Sequence, residues 1–275
     1  MLIALAQITS GKEIQANLEL VKTQAQKAAE AGARVVVFPE ATSQAFGTGR
    51  LDTQAEPLDG PFASAVRELA DELGITIVLG MFEPADTKGE VNRIYNVALV
   101  ASPNTANTPN TSSTAYRKIH TYDAFGYKES DTVKPGSELA TFTVDGVTFG
   151  VAICYDVRFP GQFRALAAQG AEVIVLPTSW ADGEGKLEQW RTLTAARALD
   201  STTFILAAGQ ARPEQSEQRS EGAPTGIGHS AVIAPDGTRI AEAGYAPELL
   251  LCTIDVAKVA HTRKALPVLE GTDTY

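Results

Sequence analysis

The chain has 275 residues, 44% hydrophobic and 7% aromatic, the composition of a globular protein that can bury a large core without disulfides or metals. Its formal net charge of -10 and pI near 4.9 argue against a partner held on a broad basic surface, because neutralising phosphates takes clustered Lys and Arg, so no nucleic-acid partner is expected. The apolar start Met1-Leu-Ile-Ala-Leu-Ala-Gln-Ile lacks a basic leader and no apolar run reaches membrane length, so a soluble cytoplasmic protein with no membrane partner is expected.

Taken in chain order, strand-like runs fall at 2–7, 34–38, 75–81, 94–100, 147–153, 172–176, 202–209, 229–234 and 248–254, between helical patterns. Between Glu13 and Ala31, the residues Ile14, Leu18, Val21, Ala25 and Ala28 recur every three or four positions, and Gly32 supplies a stop. A second helix over 62–73 gathers Phe62, Val66, Leu69 and Leu73 on one side before Gly74. A third is expected over 157–169. The polar stretches 102–114 and 212–225 read as loops, the first closing a long hairpin, the second a lid or a solvated connector.

The segment Ala28 to Pro39 is echoed, one residue shorter, by Ala167 to Pro177: a helix end, a Gly-Ala turn, a buried strand and a proline. Each is preceded by a strand and a helix. Two similar βαβ-containing halves imply an α/β fold, a four-layer α-β-β-α sandwich in a single domain over 1–275, unless both halves merely reuse common strand-turn units. Glu40 and Cys154 then both follow the carboxyl ends of strands, where α/β proteins build their sites.

Three segments carry reactive groups. Cys154, in Gly150-Val-Ala-Ile-Cys-Tyr-Asp-Val-Arg-Phe-Pro160, ends a strand and opens a helical turn, a setting that favours thiolate; its alternative is a small buried hydrophobe. Glu40 closes Val-Val-Val-Phe-Pro-Glu, where desolvation would raise its pKa toward neutrality; its alternative is a capping or surface acid. In Tyr116-Arg-Lys-Ile-His120, alternation puts Tyr116, Lys118 and His120 on one face of a strand. An inward Lys118 beside an acid and a thiol stays charged and can steady an oxyanion. Cys252, inside Leu-Leu-Leu-Cys-Thr-Ile, reads as a strand-core residue, and a disulfide between the two cysteines is disfavoured. The three histidines lack metal-site spacing, so neither metal nor cofactor is expected.

The motifs Phe-Pro-Glu40, Tyr-Arg-Lys118-Ile-His and Ile-Cys154-Tyr-Asp-x-Arg-Phe-Pro, in this order, resemble the nitrilase or carbon-nitrogen hydrolase superfamily, and Cys-Tyr-Asp-x-Arg-Phe-Pro looks like its Nit-like amidase branch. The likeness runs to about residue 270 and includes Glu129 in Tyr-Lys-Glu-Ser, Trp190 followed by Ala196-Arg-Ala, and Gly228-His-Ser. It implies Cys154 as nucleophile, Glu40 as general base, Lys118 as oxyanion partner, Glu129 as accessory acid and the Tyr155 backbone N–H as a second oxyanion donor. It also implies a small-molecule amide substrate and a homodimer. Arg158 is a candidate clasp for a substrate carboxylate, with a structural salt bridge as the alternative. Thr178, beside Pro177, is added as a substrate-binding candidate. The expected activity is hydrolysis of a small carboxylate-bearing amide, an ω-amide of a dicarboxylic acid or a deaminated peptide, to acid and ammonia. A ureido or N-carbamoyl amino acid hydrolase is the runner-up, and a non-catalytic interaction module or an acyltransferase follows. Gly161 and Gln189 depart from the branch's pattern, which bears on pocket shape.

Overall fold

The structure, a computed structural model, describes residues 1–104, 114–124, 127–213 and 224–271. It opens with β1 (Leu2–Gln7), α1 (Ile14–Glu30), β2 (Val35–Val37), α2 (Pro61–Leu73), β3 (Thr76–Lys88), β4 (Val91–Ala101) and β5 (Thr114–Arg117). A small ribbon of β6 (Asp123–Ala124) and β7 (Tyr127–Lys128) follows. Then come β8 (Thr141–Val144), β9 (Val147–Val151), α3 (Pro160–Ala168), β10 (Val173–Thr178), α4 (Lys186–Ser201), β11 (Phe204–Gly209), β12 (Ala231–Ile233), β13 (Arg239–Glu242), β14 (Glu248–Thr253) and α5 (Ala257–Ala265).

The strands form two six-stranded sheets, β14-β1-β2-β3-β4-β5 and β8-β9-β10-β11-β12-β13. In each, three consecutive strands run parallel, joined by helices, with an antiparallel strand at either flank. The two halves therefore share one topology, β1-α1-β2-α2-β3 matching β9-α3-β10-α4-β11. The internal sequence echo reports this duplication and not a common turn vocabulary.

Strand alternation sorts the first sheet's side chains into two faces. Ile3, Leu5, Val35, Val37, Val78, Ala98 and Val100 join the second sheet in one buried cluster. Ala4, Ala6, Val36, Phe38, Ile77 and Leu79 pack instead on Leu18, Val21 and Ala25 of α1 and Phe62 and Val66 of α2. The second sheet carries α3 and α4 on its other side. The result is the four-layer α-β-β-α sandwich.

Both early helices end where glycine was read as a stop: Gly32 has φ +87° and Gly74 caps α2 in the left-handed region at φ +66°. The structure adds elements without a sequence signal. The helix α4 buries Thr194, Arg197 and Ser201 beside Trp190 and Ala198, so its inner face is too polar to show an apolar period. The hairpin β3–β4 runs well past its apolar stretch because its outer half is a solvated, polar ribbon. The pairing of β4 with β5 fits the expected hairpin, although residues 105–113 of its connection lie outside the described residues, as do 214–223 of the expected lid or connector.

Among the described residues no helix is long and apolar enough to cross a membrane. Both cysteines are free thiols. Cys252, read as a strand-core residue, is half-buried on the edge strand β14 and packs with Leu250 against the cluster between the sheets, while the alternate Leu251 is exposed.

Candidate active site

Four strand ends converge between the sheets. Glu40 follows β2 through Phe38 and Pro39, Lys118 follows β5, Cys154 follows β9, and Ser179 follows β10. Glu40, Lys118 and Glu129 are each at most 2% exposed, so three charges sit out of water and must satisfy one another. The Lys118 ammonium donates to Glu40 Oε1 at 3.0 Å and to Glu129 Oε2 at 3.0 Å and Oε1 at 3.2 Å. The second oxygen of Glu40 accepts from the Ser179 backbone N–H at 2.9 Å. Glu129 also accepts from the Tyr122 N–H at 2.5 Å.

Asn96 completes this set and was absent from the sequence-derived candidates. Its side-chain amide donates to Glu40 Oε1 at 2.7 Å and to Glu129 Oε1 at 3.2 Å, so one neutral donor bridges two carboxylates. A signal existed: Asn96 is the one polar residue at the head of Val97-Ala-Leu-Val, and its parity with Ala98 and Val100 turns it toward the other sheet.

Cys154 begins a short 3-10 turn, Cys154–Arg158, with φ +45°, in the left-handed region that non-glycine residues rarely occupy. Its thiol contacts the Ser179 carbonyl at 3.5 Å and interacts with the Glu40 carboxylate. The Tyr155 N–H lies in the first turn of this helix, where the helix itself offers no acceptor. The turn is held from outside by Arg197 of α4, which donates to the Val157 carbonyl at 2.8 Å.

Burial pushes the Cys154 thiol well above its usual pKa and the Glu40 charge adds to this, with Lys118 opposing. Burial and the Glu40 charge thus work against the thiolate that strand-end placement alone was expected to favour. Burial likewise raises Glu40, with Lys118 pulling down and Glu129 pushing up. For Lys118 burial is the largest influence and acts downward, but the attraction of Glu129, Glu40, Cys154 and Asp156 outweighs it, so the ammonium stays charged.

The cluster opens into a pocket lined also by Phe46, Tyr122, Tyr155, Arg158, Trp180, Lys186 and Pro224. Arg158 donates to Gln189 Oε1 at 2.8 Å and lies between the rings of Trp180 and Tyr155, with centroids 5.1 and 5.7 Å away. It pairs with no carboxylate among the described residues, which disfavours a structural salt bridge. Gln189, the departure noted in the sequence, thus orients this arginine, while a side chain at Gly161 would meet nothing within 4 Å. Thr178 is a correction. It is fully buried, its hydroxyl donates to the Leu176 carbonyl at 3.0 Å, and it is absent from the pocket wall, which its neighbours Ser179 and Trp180 line.

A carbon-nitrogen hydrolase family model matches residues 2–264. The chain belongs to the carbon-nitrogen hydrolase family. It is similar to Hydrolase Rv0480c of Mycobacterium tuberculosis, 48% identical with 100% of this chain and 96% of the relative covered. It is similar also to the deaminated glutathione amidase of Escherichia coli O157:H7, at 34% identity over 98% of this chain and 97% of the relative. Among solved carbon-nitrogen hydrolase structures, Nit3 of Saccharomyces cerevisiae superposes with a TM-score of 0.80 at 26% identity, covering 98% of this chain and 94% of that one. A variant of the amidase from Nesterenkonia sp. AN1, with acrylamide added at its active-site cysteine, superposes at 0.75 with 27% identity, covering 97% of this chain and 98% of that one.

Proposed function

We propose that this carbon-nitrogen hydrolase is an amidase that cleaves a small carboxylate-bearing amide, an ω-amide of a dicarboxylic acid or a deaminated peptide, to the acid and ammonia. The observation that carries the reading is the Glu40–Lys118–Glu129 cluster buried against the Cys154 thiol at the floor of an open pocket. Glu40 takes the thiol proton as sulfur attacks the amide carbonyl. The oxyanion that forms is held by the Lys118 ammonium and the Tyr155 N–H; one well-placed donor of this kind is worth about 3 kcal/mol. The protonated Glu40 hands its proton to the departing amine, releasing ammonia and leaving a thioester on Cys154. Glu40 then draws a proton from water, whose attack on the thioester yields the acid, and Glu40 returns that proton to sulfur. Glu129 keeps Lys118 charged and oriented. Arg158, aimed along the pocket by Gln189, clasps the substrate carboxylate with two parallel N–H groups.

The test follows ammonia release from a panel of small amides, ureides and nitriles. Wild type releases ammonia from ω-amides and Cys154→Ala does not; equal release by both removes Cys154 from the reaction. Carbon dioxide accompanying ammonia from ureides would favour a carbamoyl hydrolase instead. Arg158→Met raises KM at least tenfold for carboxylate-bearing amides while neutral amides change little. Retained preference for the carboxylate would remove the clasp.

A further inference from the structure

Behind the pocket lies a third buried acid, one that the reaction leaves unused. Asp156 is fully buried, lines no part of the cavity, and sits two residues past the nucleophile. One of its oxygens accepts from the Tyr116 hydroxyl at 2.7 Å and from the Ile153 N–H at 2.8 Å. The other accepts from the His120 backbone N–H at 3.1 Å and from its ring Nδ1 at 2.8 Å. Four donors fill the four acceptor positions of one carboxylate.

The origin of those donors is what gives the residue a role. Tyr116 and His120 stand two residues before and two residues after Lys118. Ile153 immediately precedes Cys154. One side chain therefore ties both sides of the oxyanion lysine to the residue entering the nucleophile's turn. The Tyr116 hydroxyl, besides donating to Asp156, accepts from the Ile119 N–H at 3.1 Å and Gln162 Nε2 at 2.8 Å, which brings α3 into the same network. The His120 ring stacks on Phe159 at 3.6 Å between centroids, and Phe159 meets the edge of Tyr155, a pocket residue. Cys154 is held in a left-handed conformation that a cysteine does not adopt unaided, so something outside the residue must hold it there.

We propose that Asp156 is a positioning residue, fastening the turn that carries Cys154 to the strand end that carries Lys118. It touches neither substrate nor reacting atoms. Its function is to fix the separation between sulfur and ammonium within which the oxyanion forms, a separation on which rate depends steeply and substrate affinity does not. The proposal rests on Cys154 being the nucleophile.

The experiment compares wild type, Asp156→Asn, Tyr116→Phe and the double variant. Thermal melting gives the folded fraction of each variant, and the rate of Cys154 alkylation by iodoacetamide, read by mass, reports the setting of the thiol without any amide substrate. Steady-state hydrolysis of an ω-amide gives KM and kcat per folded site. The expected result for Asp156→Asn is a tenfold or greater loss in kcat per site with KM within twofold, and slower alkylation. Tyr116→Phe loses threefold or more in the same parameter, and the double variant loses no more than twofold beyond Asp156→Asn. A smaller loss, a loss carried by KM, or losses that multiply in the double variant would overturn the proposal. If Asp156→Asn does not fold, Tyr116→Phe, which keeps the ring and removes one donor, decides by the same threefold criterion. Wild type that hydrolyses no amide would defeat the amidase reading alone, because the alkylation rates still report whether Asp156 sets the thiol.

Discussion

At the scale of single residues, burial and close neighbours shift how tightly the groups of the site hold their protons. Glu40 holds its proton more tightly than an ordinary carboxylate, chiefly because it is buried, and only its ionised form can take the thiol proton. Activity must therefore rise with pH through that elevated value. The expected kcat/KM profile has an acid limb centred above 4.5, the usual glutamate value. Lys118, held well above 10.5, contributes no alkaline limb below that pH. A limb at or under 4.5 in a pH series on stable enzyme would contradict the assignment of Glu40 as base. Asn96 belongs to the same scale: it lets two carboxylates share one lysine by donating to both. Its polarity inside an apolar strand was visible in the sequence, but its partners were not, because they come from positions 40 and 129.

At the scale of elements, the loop bearing Glu40 depends on a glycine in the neighbouring strand. Gly80 of β3 donates its N–H to the Pro39 carbonyl at 2.9 Å and accepts from the Ser43 N–H at 3.1 Å. A Cβ there would fall 2.5 Å from the Ala41 nitrogen and 2.6 Å from the Glu40 Cα, both backbone atoms that cannot step aside. Gly80→Ala is expected to cost about 1–3 kcal/mol through this overpacking and to lower kcat by displacing Glu40. Thermal melting and kcat together check it; full activity at wild-type stability would show that the loop accommodates the methyl group. The strands of the first sheet were legible because β1, β2 and the inner part of β3 are continuous apolar runs. The outer ribbon of β3 and β4 and the polar inner face of α4 were not, since solvent or specific hydrogen bonds, and not apolar burial, maintain them.

At the scale of the whole molecule, two topologically equivalent halves are joined through the face between the sheets, and that face contributes most of the cohesion. Phe149, fully buried there and stacked on Phe142 at 5.0 Å, should lose about 3–5 kcal/mol on truncation to alanine. The bridge from Arg34 to Asp145 also spans the halves, at 2.7 Å, but its partners are 45% and 46% exposed. Arg34→Met is expected to change stability by less than about 1 kcal/mol, and the effect should shrink with added salt. Denaturant melts of the two variants test the contrast. Comparable losses would mean that the surface pair matters more than its exposure allows.

The sequence by itself determined the α/β class, the duplicated βαβ plan, the strand ends at Glu40 and Cys154 and the family, because apolar periodicity and short motifs are local and survive as patterns. The arrangement of Glu40, Lys118, Glu129 and Cys154 around one another was decided only by the tertiary structure. So were Asn96 and Asp156, the freedom of Arg158 from any acid among the described residues, the absence of Thr178 from the pocket wall and the burial of the thiol. The physical reason is that a charge state depends on what surrounds a group after folding. Here the surroundings of Cys154 are supplied by residues at 40, 118 and 179, which only the packing of two sheets brings within reach of it.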